Sequence, residues 1–557
     1  MGIEAVGYGK IKNINRGELH HLMETKSGIV LRSIFAILAS FIFGVGRVVY
    51  ADNSIAGMWQ KPGAFLLVFV CTGILFYLVL MVVELVLDRE GGSDVERQML
   101  SEGRFSYIDL VYTGYFTSGV LLILLALYII CYLTYFPGIF GYDIDQQTWQ
   151  ITGSVEWNNH HPVLHTLIWK AFYDLEKVTG VRYIALVGYS VVQMAVVLFT
   201  VWGLLRFLQK QKAHPLAILL ASIYYICMPT LAIFSFITTK DVYFACALTW
   251  LMMSVLSRGK TPTVVILAWL TCMLRNNMVY ALLFAVIIFL LTKQSKRLIA
   301  SLAVAVALAM ACMNLLFPAM GIAPTETHEA MSVPIQQIGR AFHENKQSFT
   351  KEQIELTYEY VPDIEMYNPR NADKLKTFFN DSRYEANKGE FWRLYLSIGK
   401  THPLEYVDAF LTLHVNYWYI LAEPVDPISK RVYIETCGIY MPEYPVERAL
   451  LFPNLFSFYE NVAAFNTENM VRPLLHLLFA ISTPFVVLFL IVYDVIRRKR
   501  KCGVLILAPY LGLYLTYLLG PLSNFRYVYP YFLAMPLLVI AGLAMEEKSD
   551  VKENLEL

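Results

Sequence analysis

The residues of this chain best suited to chemistry stand at the edges of long apolar runs. Asp143 and Asp145 lie one residue apart in Gly141-Tyr142-Asp143-Ile144-Asp145-Gln146-Gln147, just after an apolar run ending near residue 136. Two carboxylates so spaced can bind a divalent metal or take a proton from a hydroxyl, and an acid near a low-dielectric boundary titrates higher, as a base needs. A solvated loop is the plainer alternative. Asn158-Asn159-His160-His161-Pro162 follows, with His165 four residues after His161 and so on the same helical face. That spacing permits a zinc pair, but position 162 is Pro where a zinc peptidase helix carries Glu, which disfavours a metalloprotease. His161 then reads as a substrate contact, or as part of a helix start marked by Asn159 as cap and Pro162 in the first turn.

Three further groups open or interrupt apolar runs. In Thr238-Thr239-Lys240-Asp241, Asp241 complements a helix dipole, and Lys240 beside the same N-terminus makes an anion site. Arg275-Asn276-Asn277 splits two runs. A buried arginine there costs about 2.5–3.5 kcal/mol on insertion scales unless it is paired or interfacial. Arg275 therefore either snorkels to headgroups or, with Asn276, meets an anionic ligand. Ser523-Asn524-Phe525-Arg526-Tyr527 opens the last run with the same two choices, and the planar guanidinium of Arg526 suits phosphate.

The elements that must position these residues are membrane helices. Of 557 residues, 57% are hydrophobic and 16% charged, and the mean hydropathy is +0.50, which places the chain outside the soluble globular class. The net charge of +1 gives no basic field, and no nucleic-acid-binding motif is present, so nucleic acid is excluded as a partner. The first apolar run lacks a cleavage site, so the first helix is expected to stay, and Val6 stands where a myristoylation signal needs Ser or Thr. Seven of the eight cysteines lie in or beside apolar runs and only Cys437 in a long polar segment, which implies no disulfide framework.

A spanning helix needs about 20 apolar residues. Twelve candidates lie near 29–49, 63–87, 114–136, 183–205, 215–235, 241–257, 262–274, 278–292, 297–317, 473–496, 503–520 and 527–545. The seventh and eighth form a tight hairpin or one broken pair. Lys and Arg accumulate in cytoplasmic loops. Lys10, Lys12, Arg16 and Lys26, then Arg89, Arg97 and Arg104, and finally the run 497–501 fall on one side, placing both termini in the cytoplasm.

The expected organisation is an N-terminal segment 1–28, two helices and a loop over 29–109, and a membrane module 110–317. A large external segment 318–472, C-terminal helices 473–545 and a tail 546–557 follow. In the external loop 137–182, HPVLHTLIWKAFYDLEKV repeats its apolar residues at helical spacing and predicts an interfacial helix. Segment 318–472 predicts helices around 384–399 and 403–416. Asp143, Asp145, His161, Lys240, Asp241, Arg275, Asn276 and Arg526 then all face the external side.

With these motifs placed, the chain resembles the GT-C superfamily of multi-pass glycosyltransferases, and within it a bacterial multi-pass family. The resemblance runs from about residue 110 to 545. It rests on the order of FPGIFGYDIDQQTWQ, NNHHPVLHTL, TTKDVYF, LRNNM, MSVPIQQIGR, THPLEY, NYWY and NFRYVYP. It implies a catalytic acid in the first large external loop, matched by Asp143 or Asp145, membrane-parallel helices after it, and a sugar donor on a polyprenyl-phosphate carrier. The implied reaction is inverting transfer to an external glycan, lipid or protein, with Arg275 and Arg526 holding the departing phosphate. No organic cofactor is implied; a divalent metal is compatible with the acidic pair. The two helices before the module depart from the pattern. Gln336, Gln337 and Arg340 line the cleft or belong to an ordinary amphipathic helix. A transporter or lipid flippase is the rival reading, but it calls for ionisable groups near the midplane and for inverted repeats. Here Gln193 is one of few strongly polar residues deep in a span, Glu84 lies near an inner end, and no repeat is visible.

Overall fold

The computed structural model describes residues 26–88, 107–427, 429–432, 444, 446–465, 476 and 479–544. Lys10, Lys12, Arg16, Arg89, Arg97, Arg104, Cys437 and the tail 546–557 lie outside them. In chain order the longer helices begin with α1 (Lys26–Asp52), α2 (Pro62–Asp88), α3 (Gly114–Thr134), α4 (Ile144–Thr152), α5 (Val163–Thr179) and α6 (Ile184–Lys210). Next come α7 (Pro215–Cys227), α8 (Lys240–Leu256), α9 (Thr261–Leu274), α10 (Met278–Leu291), α11 (Lys296–Ala311), α12 (Ser332–Asn345) and α13 (Lys351–Tyr360). The last are α14 (Lys388–Thr401), α15 (Pro403–Leu413), α16 (Pro453–Ala463), α17 (Thr483–Arg498), α18 (Lys501–Tyr517) and α19 (Phe525–Leu533). The described residues are helical without a strand.

Five helices are long and apolar enough to cross a membrane: α1, α2, α3, α6, and α11 with its continuation to Ala319. A sixth is a bent pair, α19 with Met535–Ala544, inclined at 61°. The other expected spans are shorter for identifiable reasons. Run 215–235 breaks between Cys227 and Pro229, because a proline restricts the residue before it and supplies no N–H. The last run bends where Pro536 begins a new helix. Helices α9 and α10 have 14 residues each, a rise of about 21 Å against a hydrocarbon core of about 30 Å.

The short helices each bury one face in the bundle. Helix α10 lies against α18 so closely that a Cβ at Gly512 would fall 2.7 Å from the Ala281 carbonyl oxygen; only glycine permits that approach. Helix α2 stands at the other extreme. Its buried residues are Leu80 and Glu84, one turn apart; one face packs along α1, and apolar side chains such as Leu66, Leu67 and Ile74 are exposed, as suits a helix in lipid. Glu84 accepts from Arg32 Nε at 3.0 Å and from the Tyr493 hydroxyl, which ties the α1–α2 pair to α17. At the other end of the pair, Asp408 accepts from Ser54 Oγ at 2.6 Å and Ile55 N at 2.7 Å.

Residues 331–406 have a separate core, built from Ile335, Ile338, Phe342, Tyr360, Phe391 and Leu394 among others. Gln336 and Gln337 donate to the carbonyls of Asn368 and Tyr406, and buried Arg340 pairs with Glu344 at 2.9 Å. These three residues therefore hold the 331–406 unit together and do not line the crevice described next. The helices expected around 384–399 and 403–416 are present as α14 and α15, with short helices beside them.

Candidate functional site

The loop after α3 is placed by a short parallel pairing between Ile139 and Ile237. Ile139 N donates to Phe236 O at 3.1 Å, Thr238 N to Ile139 O at 3.0 Å, and Gly141 N to Thr238 Oγ1 at 3.2 Å. This lays the loop over the start of α8, where Thr239 caps the helix and Lys240 occupies its first turn. Asn524 caps α19 in the same way, accepting from Arg526 N at 3.0 Å. Two capped helices thus direct their N-termini, each carrying a cationic side chain, towards one carboxylate. That carboxylate is Asp143. Lys240 Nζ donates to it, Arg526 Nη1 lies 2.9 Å from both oxygens, and His161 Nδ1 is 3.6 Å from Oδ2. Tyr142 reaches this position through a left-handed backbone (φ 57°), uncommon for a bulky residue, with its ring 4.8 Å from the Arg526 guanidinium.

The two neighbouring acids differ in their electrostatics. Burial alone would raise Asp143, but Arg526, Lys240 and His161 outweigh it and hold its carboxyl well below the ordinary carboxylate range. Asp145 is raised, by burial first and then by the charge of Asp143; it accepts from Gln146 N at 2.8 Å and has no ion pair among the described residues. Burial and then Lys240 depress His161, so its imidazole is neutral and leaves the positive charge to Lys240 and Arg526. Both Asp143 oxygens rest on cationic nitrogens, and among the described residues no group of three or more His, Cys, Asp or Glu could hold a metal. The acidic pair, arranged so, does not fit a divalent cation.

Arg275 and Asp241 are placed behind this cluster and pair with each other. Asp241 has no exposed surface and is absent from the crevice lining. Arg275 sits among the rings of Phe244 (5.6 Å), Tyr517 (5.0 Å) and Tyr527 (5.1 Å), and Tyr527 also stacks on Arg526 at 4.8 Å. Breaking such a buried pair costs about 3–5 kcal/mol. Arg275 is thus positioned to orient Arg526 through their shared ring, where the sequence pointed to direct phosphate contact. Asn276 donates to Asn159 O at 2.7 Å, fixing the loop that carries His160 and His161. Each predicted site residue is in or next to one cluster, in which His161, Lys240 and Arg526 gather on Asp143.

Gln147, His165, Thr238 and Thr239 join Asp143, Ile144 and Lys240 around a crevice too narrow in this conformation for a water molecule. A substrate enters only if the side chains move apart. Gln147 was not legible as a site residue, although Asp143 to Gln147 is one helical turn. Tyr189 and Gln193, behind His165, carry the same four-residue signal within α6.

The His160 loop is also tied to the segment that follows α11. Asn159 N donates to Ala323 O at 2.9 Å, and His160 Nδ1 lies 3.6 Å from Glu329. Glu329 accepts from Lys376 at 2.7 Å, while His328 Nδ1 bonds Asp381 at 2.6 Å. Glu329 and Asp381 push His328 up to about 9; against the burial that would raise it, His328, Lys376 and His160 pull Glu329 down to about 2. A raised histidine stabilises fully below its unfolded value of about 6.5, and this contribution is lost as pH climbs through about 9. A depressed glutamate contributes above its unfolded value of about 4.3 and loses that contribution as pH falls through about 2. Amide protection factors across 327–345 are therefore expected to be highest near pH 5–6 and to fall by pH 9. Glutamine at Asp381 should flatten the alkaline limb.

The model of the family of unknown function DUF6020 matches residues 151–556, and the chain belongs to that family. No curated protein and no solved structure matches the chain significantly.

Proposed function

We propose that this DUF6020 protein is a membrane glycosyltransferase that moves a sugar from a polyprenyl-phosphate carrier to an acceptor hydroxyl on the external face, with inversion. The observation that carries the reading is the carboxylate of Asp143 seated between Lys240 and Arg526 at two converging helix N-termini. Such a seat suits a phosphate. Asp143 holds the place that the donor phosphate takes when it binds.

That exchange activates the base. The two cations keep Asp143 acidic, and burial works against them. Once the phosphate draws Lys240 and Arg526 to itself, the carboxylate regains basicity beside the crevice it lines. It then accepts the acceptor hydroxyl's proton as that oxygen attacks the anomeric carbon. The bond from that carbon to the phosphate oxygen breaks, and the electron pair leaves with the phosphate, neutralised by Lys240 and Arg526. Asp145, one residue on, is absent from the crevice lining and is itself raised by burial and by the charge of Asp143.

In this reading the chain lies in the cell membrane with twelve crossings and cytoplasmic termini. The shorter and bent helices complete the crossings, and the breaks in them are tolerated where protein surrounds the backbone, as at buried Met228 and Ala534. Glu84, near the inner end of its helix, is satisfied by Arg32 and Tyr493, which favours an enzyme over a transporter. Lipid extracted from the purified protein should contain a polyprenyl phosphate or its sugar ester by mass spectrometry, and Arg526→Ala should lose it. Equal lipid in both would remove the reading.

A further inference from the structure

Behind the crevice runs a chain of hydrogen bonds whose direction is fixed from its inner end. Gln193 donates through Nε2 to the carbonyls of Phe234 (3.1 Å) and Ile237 (2.7 Å), so its Oε1 must accept. The Tyr189 hydroxyl lies 2.9 Å from that oxygen and 3.4 Å from its other acceptor, Thr239 O, so its single proton goes to Gln193. The Tyr189 oxygen then accepts from His165 Nε2 at 2.7 Å, which makes that nitrogen the protonated one. His165 is buried with no carboxylate in contact, and burial followed by Lys240 pushes it down to about 3, so it is neutral and Nδ1 carries a lone pair.

The Gln147 side-chain amide lies against that lone pair, its Oε1 2.8 Å away, while its Nε2 is buried without a partner. Two acceptors cannot face each other. A half-turn of the amide resolves both defects, since its NH₂ then donates to Nδ1 and its carbonyl oxygen takes the unpartnered place. Gln147 is 1% exposed and lines the crevice beside Asp143 and Lys240. A bare acceptor there repels a phosphate oxygen and welcomes a hydroxyl.

We infer that Gln147, oriented by His165 and Tyr189, accepts a hydrogen bond from a hydroxyl of the donor's sugar and so separates the sugar subsite from the phosphate subsite of Lys240 and Arg526. This rests on the lipid-phosphate reading and extends it to the sugar. Methionine at Gln147 keeps the length and removes the acceptor.

The test is equilibrium binding to the reconstituted full chain of a short polyprenyl phosphate and of its glucosyl, mannosyl and galactosyl esters. Gln147→Met should bind the bare phosphate within about twofold of wild type, and the ester that wild type binds best about tenfold more weakly, the scale of one lost hydrogen bond. Equal loss on both, or none on either, overturns the assignment while leaving the lipid-phosphate reading intact. An effect confined to the acceptor's KM overturns it too. Wild type that binds none of these probes removes the donor reading and this assignment with it. The His165 tautomer is an independent readout that needs no variant. Nitrogen NMR of histidine-labelled protein should show Nε2 protonated, and a proton on Nδ1 would contradict the inferred amide orientation.

Discussion

Asp143→Asn will abolish transfer and at the same time tighten binding of a bare polyprenyl phosphate. Loss of a general base lowers turnover by about 10²–10⁴-fold. Binding moves the other way because the carboxylate competes with phosphate for Lys240 and Arg526, and removing it leaves both cations unopposed. One charge-assisted hydrogen bond is worth about 1.5–3 kcal/mol, so a gain of roughly tenfold is expected. The variant should be less stable without ligand and recover when lipid phosphate is added, which thermal unfolding reads directly. Asparagine at Asp145 should leave phosphate binding unchanged, because that acid touches neither cation. If both variants bind phosphate as wild type does, Asp143 is not holding the phosphate's place.

Arg526→Ala carries the second large effect. Its guanidinium supplies two of the contacts that hold Asp143 and, in the proposed complex, meets the phosphate. Its loss should weaken donor use by about 10–100-fold, by the same charge-assisted scale. Lysine at this position should restore only part, because a single ammonium cannot reproduce the planar fork. The pH profile separates this from a packing defect. Asp143 then loses its strongest cationic neighbour, so the acid limb of kcat/KM, which reports free enzyme, should move up towards the ordinary carboxylate range. A purely structural loss would lower activity at every pH without moving that limb.

The cluster was legible in the sequence wherever a residue broke a local pattern. Lys240 and Arg526 each stand in the first turn of a helix that follows a Thr or Asn cap, and Asp143 follows an apolar run, so the helix rules alone point to all three. The pairing of Arg275 with Asp241 was hidden, because it joins residues 34 apart through the packing of α8 and α9. Sequence placed a charge at an apolar boundary there and could not say that its partner was another protein side chain. Gln147 escaped for a related reason. An unpartnered amide is defined by what His165 and Tyr189 do with their protons. All twelve apolar runs contain helix, yet their lengths depend on prolines such as Pro229 and Pro536, each of which breaks a helix while lowering the hydropathy of a long run only slightly.

The most direct measurement of the central claim is sugar transfer by the reconstituted protein from a synthetic short-chain polyprenyl-phosphate sugar, set beside a soluble nucleotide-sugar in open membranes. The proposed site predicts transfer from the lipid-linked donor alone, lost in Asp143→Asn and strongly reduced in Arg526→Ala. Efficient use of the nucleotide-sugar with no response to either substitution would contradict both the donor assignment and the roles given to these residues.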